Sequence, residues 1–186
     1  METSVAVPTE SRKRWSVVSE INWGMIDIDA GRADAELLML VRRAALSAAR
    51  RTVALSHLLA ALAPDYVASA LLARELHDCW KHFHALRSYL EIVEYSPAIG
   101  DPELDQHRRT ASNGSPGPGE TAATLIAELL DDAARDSAMF ALIGARASDP
   151  ALARLADRIG ADRHEHSLGL ERLLAISPDV ARVRSA

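Results

Sequence analysis

Four long helical segments of nearly equal length constrain the fold of this chain more than any other feature. They span residues 34–63, 66–95, 121–147 and 150–176. Asp34, Asp65 and Asp149 are suitable N-cap residues, and prolines interrupt the chain between segments. Helices of this size are about 40–45 Å long. Ala and Leu, both good helix formers, make up about a third of the chain, whereas aromatic residues make up 4%. The sequence therefore predicts an all-α protein and excludes a β-sandwich or barrel.

The connections between these segments predict how the helices are arranged. Short turns join the first segment to the second and the third to the fourth, whereas residues 96–120 form a long linker rich in Pro, Gly and Ser. Two tight connections and one long crossover are typical of a four-helix bundle, here spanning 34–177. We predict that residues 1–33 form an irregular N-terminal arm and that 178–186 form a C-terminal tail.

Charge and composition exclude several classes of function. The net charge of −5 argues against a nucleic-acid binder. No apolar run is long enough for a membrane span, and residues 1–16 lack the apolar core of a secretory signal. The single cysteine, Cys79, fits a reducing compartment. We therefore predict a cytoplasmic protein with no membrane or nucleic-acid partner.

Each helix of a bundle buries one stripe of apolar residues, which we call its seam. In three of the helices, ionisable residues interrupt this predicted seam at about the same height along the bundle. Seam positions alternate in steps of three and four residues. The first helix offers small residues such as Ala48 at this height. Buried charges are costly unless they pair with each other or bind a metal, so we expect a polar cluster inside the bundle. The interrupting residues are Glu75 and His82 in the second helix, Glu128, Asp132, Arg135 and Asp136 in the third, and Asp162, Arg163 and His166 in the fourth.

Two of these helices carry motifs of a known superfamily. The segment Asp78-Cys79-Trp80-Lys81-His82, followed by Arg87-Ser88-Tyr89-Leu90, resembles the D-E-x-x-H…R-Y-L helix of ferritin-like di-iron carboxylate proteins. The branch it most resembles contains the ribonucleotide-reductase small subunit and the acyl-carrier desaturases. The segment Asp162–Gly169 is similar to the second D-E-x-x-H motif of that superfamily. The resemblance covers about residues 35–176 and implies a ferritin-like four-helix bundle with one crossover between the second and third helices.

The ligand positions of the superfamily are only partly retained. His82 and His166 align with its metal-binding histidines, whereas Cys79 and Arg163 stand where it has glutamates. The glutamate of the first helix falls near Ala48, and only the third helix keeps a carboxylate at a ligand position, Asp132 or Glu128. We therefore expect a degenerate site and no standard di-iron centre.

Arg163 suggests what replaces the metal. A guanidinium beside a metal-binding histidine repels a divalent cation and is itself suited to pairing with carboxylates. We expect Arg163 to occupy the metal position and to pair with one of three acids. The candidates are Asp132, Glu128 and Glu75. Alternatively, Arg163 lies beside the seam and extends to solvent, as Arg42-Arg43 and Arg50-Arg51 on the first helix are expected to do.

A metal remains an alternative in this cluster. His82, His166 and Asp132 would provide the two-histidine, one-carboxylate set of mononuclear non-haem iron enzymes, with iron or manganese as the metal. Cys79 and Asp162 would then lie in the same pocket, Cys79 as a thiolate ligand or as a small hydrophobic residue. The two histidines are equally compatible with a purely structural role.

Two functions are compatible with these features. The first is an enzyme derived from the oxidoreductases of this superfamily, acting on a small organic molecule in the bundle cavity, with His82, His166 and Asp132 as catalytic groups. The second is a non-catalytic, metal-free structural or ligand-binding subunit that partners an intact di-iron homologue. Analogy with the fold predicts a homodimer or a hetero-oligomer with a related subunit.

Overall fold

The described part of the computed structural model, residues 16, 20–62, 65–106 and 122–176, contains helices and no strand, which confirms the all-α class. The four long helices are α1 (Ala35–Ala61), α2 (Tyr66–Ile92), α3 (Ala122–Arg146) and α4 (Pro150–Ile176), close to the predicted segments. Two short elements precede α1, a 3₁₀ helix (Trp23–Met25) and a helix (Ile28–Arg32). Residues 101–106 are also helical. Residues 1–15, the part of the predicted crossover after 106 and the predicted tail lie outside the described residues.

Aspartates cap the N-termini of three long helices, as the sequence predicts. Backbone N–H groups of the first turn donate to the carboxylate of Asp34 at 2.9 Å, of Asp65 at 2.9 and 3.0 Å, and of Asp149 at 3.2 and 3.4 Å. Each such cap stabilises a helix by about 1 kcal/mol. None of the described helices combines the length and the apolar content that a membrane span requires.

Each long helix packs against two others. Helix α1 lies against α2 and α3, and α4 likewise lies against α2 and α3. Ser47 of α1 contacts Asp136 of α3, and Arg51 further along α1 contacts Leu129 earlier in α3. Helices α1 and α3 are therefore antiparallel.

The apolar core is divided into two clusters along the helix axes. The first cluster contains buried residues such as Leu38, Leu86, Tyr89, Phe140 and Ile159. The second contains Leu55, Leu72, Ile126, Leu129 and Leu170. Buried charged or histidine side chains lie between the two on every long helix, so the polar cluster predicted from the sequence lies inside the protein and between two apolar regions.

The segment before α1 packs against the end of α2. Gly31 lies so close to α2 that a Cβ atom at this position would be 2.7 Å from Val93 Cγ1 and 2.9 Å from Tyr89 Oη. The Arg32 side chain also donates from Nε to the Val93 carbonyl at 2.8 Å. This close approach is thus possible because the residue at position 31 is a glycine, which has no side chain.

The Gly31→Ala substitution is expected to lower the free energy of unfolding by about 1–3 kcal/mol, because Val93 and Tyr89 are fully buried and cannot move aside without strain. The measurement is urea unfolding followed by circular dichroism. Gly160→Ala is the control, since its Cβ would be 3.9 Å from the nearest atom. The free energy of unfolding of this control variant should rise by about 0.5–1 kcal/mol, because alanine is a better helix former than glycine. A Gly31→Ala variant as stable as the native chain would contradict the packing.

Candidate functional site

A layer of buried charged and histidine side chains connects all four long helices between the two apolar clusters. Each member has at most 6% of its surface exposed. We call this set the polar layer. Its members are Arg51 of α1, Glu75, Asp78 and His82 of α2, Asp136 of α3, and Arg163 and His166 of α4.

Arg163 is at the centre of the polar layer and is completely buried. Its Nη1 donates to Cys79 Sγ at 3.0 Å, and its Nε is 3.5 Å from Asp136 Oδ2. The other oxygen of Asp136 accepts a hydrogen bond from Ser47 Oγ at 3.1 Å. Arg163 therefore does not extend to solvent, and through Asp136 it links α4 to α3 and α1.

The carboxylate partner of Arg163 is not one of the three expected acids. Asp132 has 53% of its side chain exposed and pairs with Arg135 of its own helix at 2.6 Å, and Glu128 is exposed. The structure therefore does not bring Asp132 or Glu128 into the polar layer. The reason is the seam of α3, which follows Leu125, Leu129, Ala133, Asp136, Phe140 and Ile143. Asp136 lies on that seam, whereas Asp132 lies beside it.

Glu75 pairs with Arg51 and not with Arg163. Arg51 Nη2 and Nε are 2.6 and 3.0 Å from Glu75 Oε1, and Arg51 Nη1 donates to the Leu129 carbonyl at 2.8 Å. Both side chains are at most 2% exposed. The expectation of a solvated Arg50-Arg51 pair is thus wrong for Arg51. Its place one turn after Ala48, which the sequence predicts at the height of the polar cluster, is the signal that could have identified it.

The two predicted histidines are brought together across α2 and α4. Their ring centroids are 6.3 Å apart. His82 Nε2 is 2.7 Å from Asp162 Oδ2, and His166 Nε2 is 3.1 Å from Asp78 Oδ2. Lys81 Nζ joins the two pairs, at 2.9 Å from Asp78 and 3.0 Å from Asp162. These contacts also make α2 and α4 antiparallel. Asp162 and Lys81, 17% and 13% exposed, form the solvent-facing edge of the site.

Burial sets the protonation of His82. It lowers the pKa of His82 from 6.5 to about 3, against the hydrogen bond to Asp162, which acts to raise it, while Arg163 and His166 lower it further. Burial also acts to raise the pKa of Asp78, but hydrogen bonds with His166 and Lys81 hold it well below its usual range. The folded protein therefore keeps His82 neutral and Asp78 ionised at neutral pH.

We expect stability to fall in weak acid because of His82. Between pH 6.5 and about 3 the unfolded chain binds a proton at this position and the folded chain does not, so the free energy of unfolding decreases as the pH decreases. The slope from this group is about 1 kcal/mol per pH unit. Urea unfolding at pH 6, 5 and 4 measures it. His82→Gln should flatten the slope, whereas His77→Gln, on the exposed side of α2, should not. Equal slopes in both variants would contradict a neutral buried His82.

The polar layer does not fit the metal centres considered above. Within the described part of the chain, no group of three His, Cys, Asp or Glu side chains is placed to hold a metal ion. Asp132 lies apart from His82 and His166, so the set of two histidines and one carboxylate is not assembled. The carboxylates near the histidines already face Arg51, Lys81 or Arg163. A di-iron centre could form only if these cationic side chains moved away from the carboxylates.

Cys79 behaves as a buried small side chain. It has no exposed surface, and burial raises the pKa of its thiol although Arg163 favours the thiolate. His77, His84 and His164 are exposed. The chemistry available inside the protein is therefore that of ion pairs and two histidine–carboxylate pairs.

Comparisons of the chain with protein-family models, with curated proteins and with solved structures gave no match.

Proposed function

We propose that the chain is a ferritin-like four-helix bundle that works without a metal, as a non-catalytic subunit that binds a ligand or a related protein. The observation that carries the proposal is the completely buried Arg163. Its position in the second motif is one at which the superfamily resemblance implies a metal-binding glutamate. A permanent cation takes that place here, and it contacts Cys79, the residue at the corresponding position of the first motif.

The helix contacts support the bundle topology. Helix α1 lies between α2 and α3. It is antiparallel to α2, because a short turn joins the two, and antiparallel to α3, because of the contacts between them. Helices α2 and α3 therefore point in the same direction. The N-terminus of α3 therefore lies at the opposite end of the helices from the C-terminus of α2, about 40 Å away for a helix of 27 residues. A crossover of this kind is the ferritin-like connection.

Electrostatics support the absence of a metal. A divalent ion about 4 Å from a buried guanidinium would be repelled by about 8 kcal/mol at an effective dielectric constant of 20. Arg51, Arg163 and Lys81 already offset most of the negative charge of the four nearby carboxylates, Glu75, Asp78, Asp136 and Asp162. These side-chain cations thus neutralise the buried acids, as metal ions neutralise the carboxylates of the di-iron proteins.

Elemental analysis tests the proposal. Protein purified in the presence of iron and manganese is expected to contain neither in stoichiometric amount, and a chelator is expected to leave its melting temperature unchanged. A metal bound at one or two ions per chain and lost in His82→Gln, with His77→Gln as the control, would overturn it. Isolation from the natural source with a homologue that carries intact E-x-x-H motifs would identify the partner as a related subunit.

A metal-independent acid–base enzyme is the second candidate. The observation that favours it is the pairing of each buried histidine with an aspartate beside a partly exposed edge at Lys81 and Asp162. Burial keeps His82 neutral, so its ring lacks a second proton and could accept one from a substrate, as a weak base. A turnover that His82→Gln abolishes while the fold remains intact would favour this function over the first.

A further inference from the structure

A groove on the surface between α1 and α3 borders the polar layer at Asp136. Its volume is about 520 Å³, within the range of pockets that hold small organic molecules. Apolar side chains of Leu40, Leu46 and Met139 form part of its wall, and Ser47 and the nearly buried Asp136 also line it. The groove thus offers both apolar surface and polar groups.

The negative charges of the groove are offset by neighbouring arginines. Asp136 faces Arg163 on its buried side, at 3.5 Å, and Asp132 pairs with Arg135 at 2.6 Å. The two carboxylates that line the groove are therefore already balanced. They do not need a cation from solvent.

Two arginines of the groove have no such partner among the residues that the structure describes. Arg43 and Arg50 line the groove, are exposed, and make no hydrogen bond or ion pair with the described residues. They lie on one face of α1, two helical turns and about 10 Å apart. The groove is therefore basic on a chain whose net charge is −5.

We propose that the α1–α3 groove binds an organic anion with an apolar body. The anionic group would be held by Arg43 and Arg50, since guanidinium groups donate paired hydrogen bonds to carboxylate, sulfonate or phosphate oxygens. The apolar body would cover Leu40, Leu46 and Met139 and gain stability by leaving water. This proposal does not rest on the proposed function, because the groove residues Arg43 and Arg50 belong neither to the polar layer nor to a metal site.

Two fluorescent probes that differ by one anionic group test the proposal. They are 8-anilino-1-naphthalenesulfonate and the neutral N-phenyl-1-naphthylamine, each titrated with the folded full-length chain. We expect saturable binding of the sulfonate and binding of the neutral probe that is about tenfold weaker. The Arg43→Gln/Arg50→Gln double variant should bind the sulfonate about tenfold more weakly, with no change for the neutral probe.

A matched variant and a blocking variant locate the site. Arg154→Gln removes an exposed arginine from α4 and should leave both affinities unchanged. Met139→Trp places a large side chain in the groove and should abolish binding of both probes, with circular dichroism showing that the helices remain. Equal affinity for the two probes, no loss in the double arginine variant, or an equal loss in Arg154→Gln would overturn the proposal.

Discussion

Replacing Arg163 with alanine is expected to lower the free energy of unfolding by about 3–5 kcal/mol. The substitution leaves the nearly buried carboxylate of Asp136 without its cation and opens a cavity beside Cys79. An uncompensated charge in a site of low dielectric constant is among the most destabilising changes that a single substitution produces. Urea unfolding at pH 7, followed by far-UV circular dichroism, measures the loss.

The matched control is Arg154→Ala, which removes an exposed arginine from the same helix and should change stability by no more than about 0.5 kcal/mol. The double variant Arg163→Ala/Asp136→Ala separates the effect of the unpaired charge on stability from the effect of the lost side-chain volume. This double variant should be less destabilised than the sum of its single variants, because it removes both charges. A loss below about 1 kcal/mol for Arg163→Ala would show that the guanidinium is not buried against Asp136.

Replacing Arg51 with methionine is expected to have the second large effect. It should lower the free energy of unfolding by about 3–5 kcal/mol. Arg51 makes two hydrogen bonds to one oxygen of Glu75 and a third to the Leu129 carbonyl. Methionine fills much of the volume but leaves the buried Glu75 carboxylate without its arginine. Adding Glu75→Leu removes that charge. The Arg51→Met/Glu75→Leu variant should therefore recover most of the lost stability.

A surface ion pair on the same helix serves as the control. Arg42 of α1 pairs with Glu103, and both side chains are more than 20% exposed. Solvent screens such a pair, so Arg42→Met should cost no more than about 1 kcal/mol. Equal losses for Arg42→Met and Arg51→Met, or no recovery in the double variant, would contradict the buried pair.

The sequence was sufficient to predict the elements and the existence of a polar layer. Helix bounds follow from local signals, namely the aspartate caps and the prolines, and these signals do not depend on what a helix packs against. The height of the layer follows from where ionisable residues interrupt the seams. His82, His166 and Arg163 could be placed in it for that reason.

The pairing within the layer could not be predicted in the same way. Asp132 and Asp136 are one turn apart on α3, and a small rotation of the helix decides which of them is buried. Arg51 follows another arginine, and its long side chain is compatible with solvent or with the interior. The α1–α3 groove is still less accessible to sequence reasoning, because it exists only where two helices distant in sequence meet.

The division of the core by charges has a consequence for the alignment of the helices. Seams made only of Ala and Leu pack almost equally well when one helix slides along its neighbour by a turn, about 5.4 Å. A slide of α4 past α2 would place Arg163 against leucines of one apolar cluster and leave Asp136 alone. We therefore expect the charges to select one register among many that apolar packing alone would allow, and the polar layer to give a simple Ala- and Leu-rich interior a unique arrangement.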